Sequence, residues 1–346
     1  MGLLQKVRRR PAVKPLLKVE DLKVDFTVPG QGSWPWSAPR ILSAVDGVSF
    51  CLKERESLGI VGESGSGKTT LARSIVGTVN PTFGKIYWKG KDLATVSQRS
   101  RYAIRGDMTM IFQNPLSALN PRMTVGRIIG EPLQTHHPSL SSSEVSHQVG
   151  TVMERVGLLP NLVNRYPHEF SGGQCQRVGI ARALVLKPKL IICDEPVAAL
   201  DVSVRAQVVN LLRELKNEFG LSLILITHDL SLVKHLADRA LVMYLGRMAE
   251  VAPSDRLVCK PLHPYSRALI SSVPIPDPVV ERKRPRQLLE GEIPSPISPP
   301  PGCAFESRCP RALNRCASQP PRMREISTEH AVACHNPLDP SPDNEG

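Results

Sequence analysis

Residues 62–69 read Gly-Glu-Ser-Gly-Ser-Gly-Lys-Thr, the G-x-x-x-x-G-K-T spacing of a phosphate-binding P-loop. The context makes the match specific. Leu58-Gly59-Ile60-Val61 is a short apolar run that predicts a strand feeding the loop, and Thr69 to Val76 predicts the helix that leaves it. Glycines at such a turn let successive backbone N–H groups converge on phosphate oxygens at the positive end of the helix. Gly62, Ser64, Gly65, Ser66, Gly67, Lys68, Thr69 and Thr70 are therefore the candidate phosphate-binding residues. Lys68 would reach the β/γ-phosphates, and the Thr69 hydroxyl would sit on Mg²⁺.

A chain built on such a loop needs an acid to hold the metal and a group to handle the attacking water. Lys189-Leu190-Ile191-Ile192-Cys193-Asp194-Glu195 supplies both: an apolar strand ends in two carboxylates. Asp194 is the candidate Mg²⁺ residue and Glu195 the candidate base. Other apolar runs, Met108 to Phe112 and Leu221 to Thr227, alternate with helical stretches at Val125 to Gln134, Ser142 to Val156, Ser171 to Leu186 and Val202 to Phe219. That alternation predicts a largely parallel α/β sheet covered on both faces. Leu16 to Val28, Ile41 to Leu52 and Gly84 to Trp88 add strands of antiparallel type. Pro29 to Arg40 reads as an inserted loop, whose Trp34 and Trp36 suit either an outside surface or the loop's own base.

Composition narrows the partners. Net charge is +12, from 44 Lys+Arg and 32 Asp+Glu, with clusters at Lys6 to Arg10, Arg99 to Arg105 and Glu281 to Arg286. Aromatics make up only 4% of the chain, too few stacking platforms for a nucleic-acid groove, so basic faces near an anionic membrane surface fit better. No apolar run reaches the roughly 18 residues of a transmembrane helix, and no signal peptide is visible.

Phe170-Ser171-Gly172-Gly173-Gln174 lies between the P-loop and the paired acids. The order P-loop, Gln113, Ser171-Gly172-Gly173-Gln174, Asp194-Glu195, Asp201 and His228 resembles the full motif set of an ABC-transporter ATPase cassette. The resemblance runs from about residue 16 to 336. It implies a P-loop NTPase (RecA-like) α/β core, an antiparallel β subdomain and a helical subdomain at about 114–187. It gives Gln113 the Q-loop role at Mg²⁺ and water, Asp201 the D-loop role across a dimer, and His228 the switch role at the γ-phosphate. It makes Ser171 to Gln174 the signature that completes a partner's ATP site, and Phe26 a candidate adenine-stacking residue, with core packing as the alternative. Ala198 departs from the serine usual in the D-loop.

Asn120 to Gly126, Asn161 to Gln176 (with Cys175 in the signature) and His263-Pro264-Tyr265 look like the oligopeptide/dipeptide importer branch; within it, Gly67-Lys68-Thr69-Thr70-Leu71, the 29–40 insertion and Cys175 resemble the F-type rather than the D-type ATPase. The implied function is ATP hydrolysis powering oligopeptide import from the cytoplasmic face of the inner membrane. The implied partners are a D-type ATPase, two transmembrane permease subunits and an extracytoplasmic peptide-binding protein. Import of dipeptides, nickel or another small solute stays open, as does a soluble ABC ATPase of nucleic-acid metabolism.

Residues 1–15 read as a basic tail, 16–252 as the nucleotide-binding domain, and 253–346 as a Pro/Cys-rich appendage held by loops. More than half of the chain's 32 prolines lie in that last part. Cys303, Cys309, Cys316 and Cys334 are spaced x5, x6 and x17 there, without a C-x-x-C pair. Four thiols suit a [4Fe–4S] cluster, which the resemblance favours; zinc and free thiols are the alternatives.

Overall fold

The computed structural model describes residues 14–29, 39–273, 282 and 291–338. Most of the basic tail, Trp34, Trp36 and most of the 281–286 cluster lie outside the described residues.

Two sheets carry the chain. Strands β1 (Leu17–Val28), β2 (Arg40–Leu52), β4 (Phe83–Trp88) and β5 (Lys91–Asp92) form an antiparallel sheet in the order β2-β1-β4-β5. The larger sheet has the order β11-β12-β10-β9-β3-β8-β7-β6. Its parallel centre is β9 (Arg239–Tyr244), β3 (Ser57–Val61), β8 (Ser222–Thr227), β7 (Leu190–Asp194) and β6 (Met108–Ile111). Strands β3, β7 and β8 are buried at every position, as a sheet covered on both faces requires.

Successive residues of these strands feed opposite cores. Leu190, Ile192, Ile224 and Ile226 point into one cluster with the small sheet and helix α1 (Lys68–Ile75). Ile191, Cys193, Leu223 and Leu225 point into the other with α3 (Val125–His136), α4 (Ser142–Arg155) and α5 (Gly172–Leu184). Each fully buried Leu or Ile contributes about 1.5–3 kcal/mol, so every functional strand end is fixed from both sides.

The structure adds one element and changes one sequence expectation. The basic run Arg99 to Arg105 is helix α2 (Gln98–Asp107), capped by Ser97 and anchored by Tyr102, which stacks on His136 at 4.4 Å. Its charged composition hid the helical period. The segment after residue 252 is also not held by loops alone. The boundary cuts β10 (Arg247–Pro253), and helices α8 (Ser254–Cys259) and α9 (Pro264–Ser271) follow. Strands β11 (Arg324–Ser327) and β12 (His330–Val332) then extend the central sheet through β10. Tyr265, Phe305 and Val332 are buried from this segment.

Candidate functional site

The P-loop leaves β3 and turns on glycines. Gly67 holds φ 95°, and a Cβ there would meet the Ala44 carbonyl oxygen at 2.1 Å. Only glycine fits that left-handed, crowded position. Gly67 is also the N-cap of α1, with no side-chain cap and no acid in the first turn. The free N–H groups and the helix's positive end therefore face the loop, an arrangement made for an anion. Ser64 and Gly65 are exposed at its mouth, whereas Gly62 and Ser66 are buried.

Lys68 is 5% exposed and folds back onto the loop. Its Nζ donates to the carbonyl oxygens of Gly62 (2.8 Å) and Glu63 (2.7 Å) and to Ser66 Oγ (3.2 Å). Burial lowers its pKa, and the carboxylates of Glu195, Asp194 and Glu63 oppose that fall. The same amine is thus poised to exchange carbonyl contacts for phosphate oxygens.

The ends of β7 and β8 meet the loop. Thr69 Oγ1 donates to Asp194 Oδ1 at 3.1 Å. Burial raises the Asp194 pKa against this hydrogen bond, and the neighbouring Glu195 charge raises it further. Glu195 follows at φ 45°, a left-handed conformation that costs a non-glycine residue energy and is held by its N–H on the Ile226 carbonyl (2.8 Å). Its two oxygens are both engaged: Gln113 Nε2 donates to Oε2 at 3.0 Å, and His228 Nδ1 lies 3.3 Å from Oε1. Asp229 caps α7 (Leu230–Leu236) by accepting from Ser231 and Leu232, which fixes His228 at the end of β8. Sequence positions 68, 69, 113, 194, 195 and 228 therefore form one connected group.

The signature does not join it. Ser171 caps α5 and shares a capping box with Gln174. Gly173 packs so closely on Val204 that a Cβ would lie 2.4 Å from it. Among the described residues no hydrogen bond links Ser171, Gly172, Gly173 or Gln174 to the P-loop. Ser171, Gly172, Gln174, Ala198 and Asp201 are exposed, and Val202, which opens α6 (Val202–Phe219), is 80% exposed.

Comparisons with known proteins agree with this geometry. An ABC transporter family model matches residues 45–198, and one for the oligopeptide/dipeptide transporter C-terminal region matches residues 249–316. The oligopeptide transport ATP-binding protein OppF of Salmonella typhimurium is 59% identical over 93% of this chain and 96% of its own length. The protein of the same name from Haemophilus influenzae is 54% identical over 92% of this chain and 96% of its own. The chain belongs to this ABC transporter ATP-binding family.

The fold is the ABC ATPase cassette. The dimeric, post-hydrolysis structure of the ATP-binding cassette MJ0796 bound to ADP and Pi superposes with TM-score 0.61 at 27% identity, covering 69% of this chain and 98% of that one. CbiO1 of Clostridium perfringens, part of the ABC transporter complex cbiONQ, gives TM-score 0.59 at 28% identity over 70% of this chain and 90% of that one.

Phe26 lies on β1 opposite Leu42 of β2, two residues from the Ala44 carbonyl that abuts Gly67. It is 38% exposed, so it is not a core residue. In the C-terminal segment, Cys303, Cys309 and Cys316, which lie inside the matched oligopeptide/dipeptide transporter region, and Cys334 beyond it are near enough to act on one another. Burial pushes Cys303 up to about 11, helped by Cys316, Cys334 and Cys309, and burial also raises Cys309 and Cys334. Cys303 N–H donates to the Cys316 carbonyl at 2.7 Å. Among the described residues, however, no group of three or more His, Cys, Asp or Glu side chains is arranged to hold a metal ion. The donor set suits an iron–sulfur cluster.

Sequence reasoning missed three residues at the P-loop. Arg308 forms a two-pronged ion pair with Glu63, Nη1 to Oε2 at 2.8 Å and Nη2 to Oε1 at 3.1 Å. Tyr265 Oη accepts from Glu63 N–H at 2.8 Å, and Tyr244 Oη receives Arg308 Nη1 at 3.3 Å. Of these, only Tyr265 stands out in the sequence, within His263-Pro264-Tyr265, a mark of the importer branch without a role.

Proposed function

We propose that this chain is the ATP-hydrolysing subunit that powers oligopeptide import by an ABC transporter at the cytoplasmic face of the inner membrane. The observation that carries the reading is the convergence of Lys68, Thr69, Gln113, Asp194, Glu195 and His228, in a chain 59% identical to an oligopeptide transport ATP-binding protein. Lys68 and the loop N–H groups bind the β/γ-phosphates of ATP. Glu195 takes the proton of the attacking water, and His228 contacts the γ-phosphate. Thr69, Asp194 and Gln113 are the residues that would hold Mg²⁺, which neutralises phosphate charge when bound. Phe26 stacks on the adenine.

The exposed patch of Ser171, Gly172, Gln174, Asp201 and Val202 supports a partner cassette there, and a D-type ATPase is the proposed partner. Two permease subunits and a peptide-binding protein complete the transporter. Among the described residues no helix is long and apolar enough to cross a membrane. In this reading residues 16–252 form the nucleotide-binding domain and 253–346 a C-terminal region built onto it.

Affinity purification of the tagged chain from gently solubilised membranes is expected to recover a second ATPase and two polytopic membrane proteins. Recovery only with ribosomes or nucleic acid overturns the transport reading and leaves the ATPase chemistry. A [4Fe–4S] cluster on Cys303, Cys309, Cys316 and Cys334 is proposed on the donor set alone. Iron and acid-labile sulfide in anaerobically purified protein, absent from a Cys309→Ser variant, would support it; neither in the parent protein overturns the cluster and leaves zinc or free thiols.

A further inference from the structure

Glu63 is the second residue of the P-loop, and all three of its polar parts are tied down. Its N–H donates to Tyr265 Oη (2.8 Å), its carbonyl accepts from Lys68 Nζ (2.7 Å), and its carboxylate meets the guanidinium of Arg308 with two bonds (2.8 and 3.1 Å). Two of the three ties come from the C-terminal region. Arg308 stands 245 positions away in sequence, in the short turn between Cys303 and Cys309. It is not a loose surface arm: its side chain is 7% exposed, against 25% for Glu63. The guanidinium lies 5.9 Å from the Tyr244 ring centroid. Tyr244, Tyr265 and Phe305 pack on one another with centroids 4.6, 5.3 and 5.4 Å apart, and Phe305 is 2% exposed.

We infer that Arg308 is a positioning residue of the nucleotide site. It fixes the Glu63 carboxylate, and through the Glu63 backbone it sets where Lys68 rests and how the phosphate cradle is shaped. It also neutralises a carboxylate that would otherwise face an incoming triphosphate. A planar two-pronged pair does both, because it fixes direction as well as charge. The C-terminal region, which carries the four cysteines, thus reaches directly into the ATP site. Arg308 acts through Glu63 and touches no reacting atom. Its effect therefore falls on nucleotide binding and spares the hydrolytic step at Glu195.

The test rests on the ATPase reading and uses the full chain. ATP dependence of hydrolysis is measured alongside calorimetric binding of ADP. Arg308→Gln is expected to raise KM for ATP and Kd for ADP by about tenfold while kcat changes less than about twofold. Arg308→Lys, which keeps the charge and loses the fork, falls between. Glu63→Gln combined with Arg308→Gln recovers much of the loss, because no unpaired carboxylate remains. A merely structural role would lower the melting temperature and kcat together, shift KM little and show no recovery. Unchanged KM and Kd in a folded Arg308→Gln overturns the proposal. If that variant does not fold, the lysine variant decides by the same constants. If the parent chain itself does not hydrolyse ATP, the ATPase reading fails, and ADP affinity still reports on Arg308.

Discussion

Glu195→Gln is expected to lower steady-state ATP hydrolysis by about 10²–10⁴-fold, the range that a positioned general base contributes. Nucleotide binding should persist. The substitution keeps the side chain's shape and an acceptor for Gln113 Nε2, which lies 3.0 Å from Oε2. It removes the basicity that the attacking water needs. Lys68, Thr69 and the P-loop N–H groups do not depend on Glu195 for their contacts. The backbone at φ 45° is held by the bond to Ile226, which the substitution leaves intact. The variant should therefore accumulate with ATP bound and turn over slowly. Phosphate release and retained nucleotide are the two measurements. Turnover within about tenfold of the parent would show that Glu195 is not the base, since that lies below the usual contribution of one. His228→Ala gives a second check: His228 lies 3.3 Å from Glu195 and contacts γ-phosphate in this reading, so hydrolysis should fall and ADP affinity should not.

What was legible in the sequence is local or carried by strand ends. The P-loop is eight consecutive residues, and Asp194 and Glu195 follow a strand whose burial on both faces shows as an unbroken apolar run. Gln113 and His228 have no local signal strong enough to stand alone. They were placed by their order in the motif set, and the structure brings both to Glu195. The helices at 125–136 and 142–155 announced themselves by their period, and Pro132 did not end the first. The misses are non-local. No periodicity links Arg308 to Glu63 across 245 positions, and a three-residue strand such as β12 is too short to show alternation. The proline content after residue 252 suggested loops. The pairing of Glu250 with Val332 that closes this region on the central sheet lies 82 positions apart and is invisible to composition.

That closure has a buried polar centre in Glu250, and breaking it has the largest expected effect on stability. Glu250 on β10 is 0% exposed. Its Oε1 accepts from Leu262 N–H at 2.7 Å and lies 2.7 Å from His330 Nε2 on β12; its Oε2 accepts from His263 N–H at 2.9 Å. One carboxylate therefore ties the sheet, the entry to α9 and the last strand. Glu250→Ala would leave two buried N–H groups and His330 without their acceptor, at a cost of about 3–5 kcal/mol. Glu250→Gln keeps one acceptor but turns an NH₂ toward a donor, so its loss should be smaller than alanine's and still measurable. Denaturant unfolding checks both, and an alanine midpoint equal to the parent's would refute the staple. His263 gives the same region a pH dependence. Burial lowers its pKa from 6.5 to about 4, and its Nδ1 accepts from Tyr265 N–H, which requires the neutral ring. A depressed histidine pKa means that the unfolded chain binds the proton first. Stability should therefore fall as pH drops from 6.5 toward 4, by up to about 1.4 kcal/mol per pH unit from this group. In His263→Asn that slope should flatten, whereas Glu250→Ala lowers the whole curve even at neutral pH. The two variants thus separate the histidine's titration from the staple that holds it.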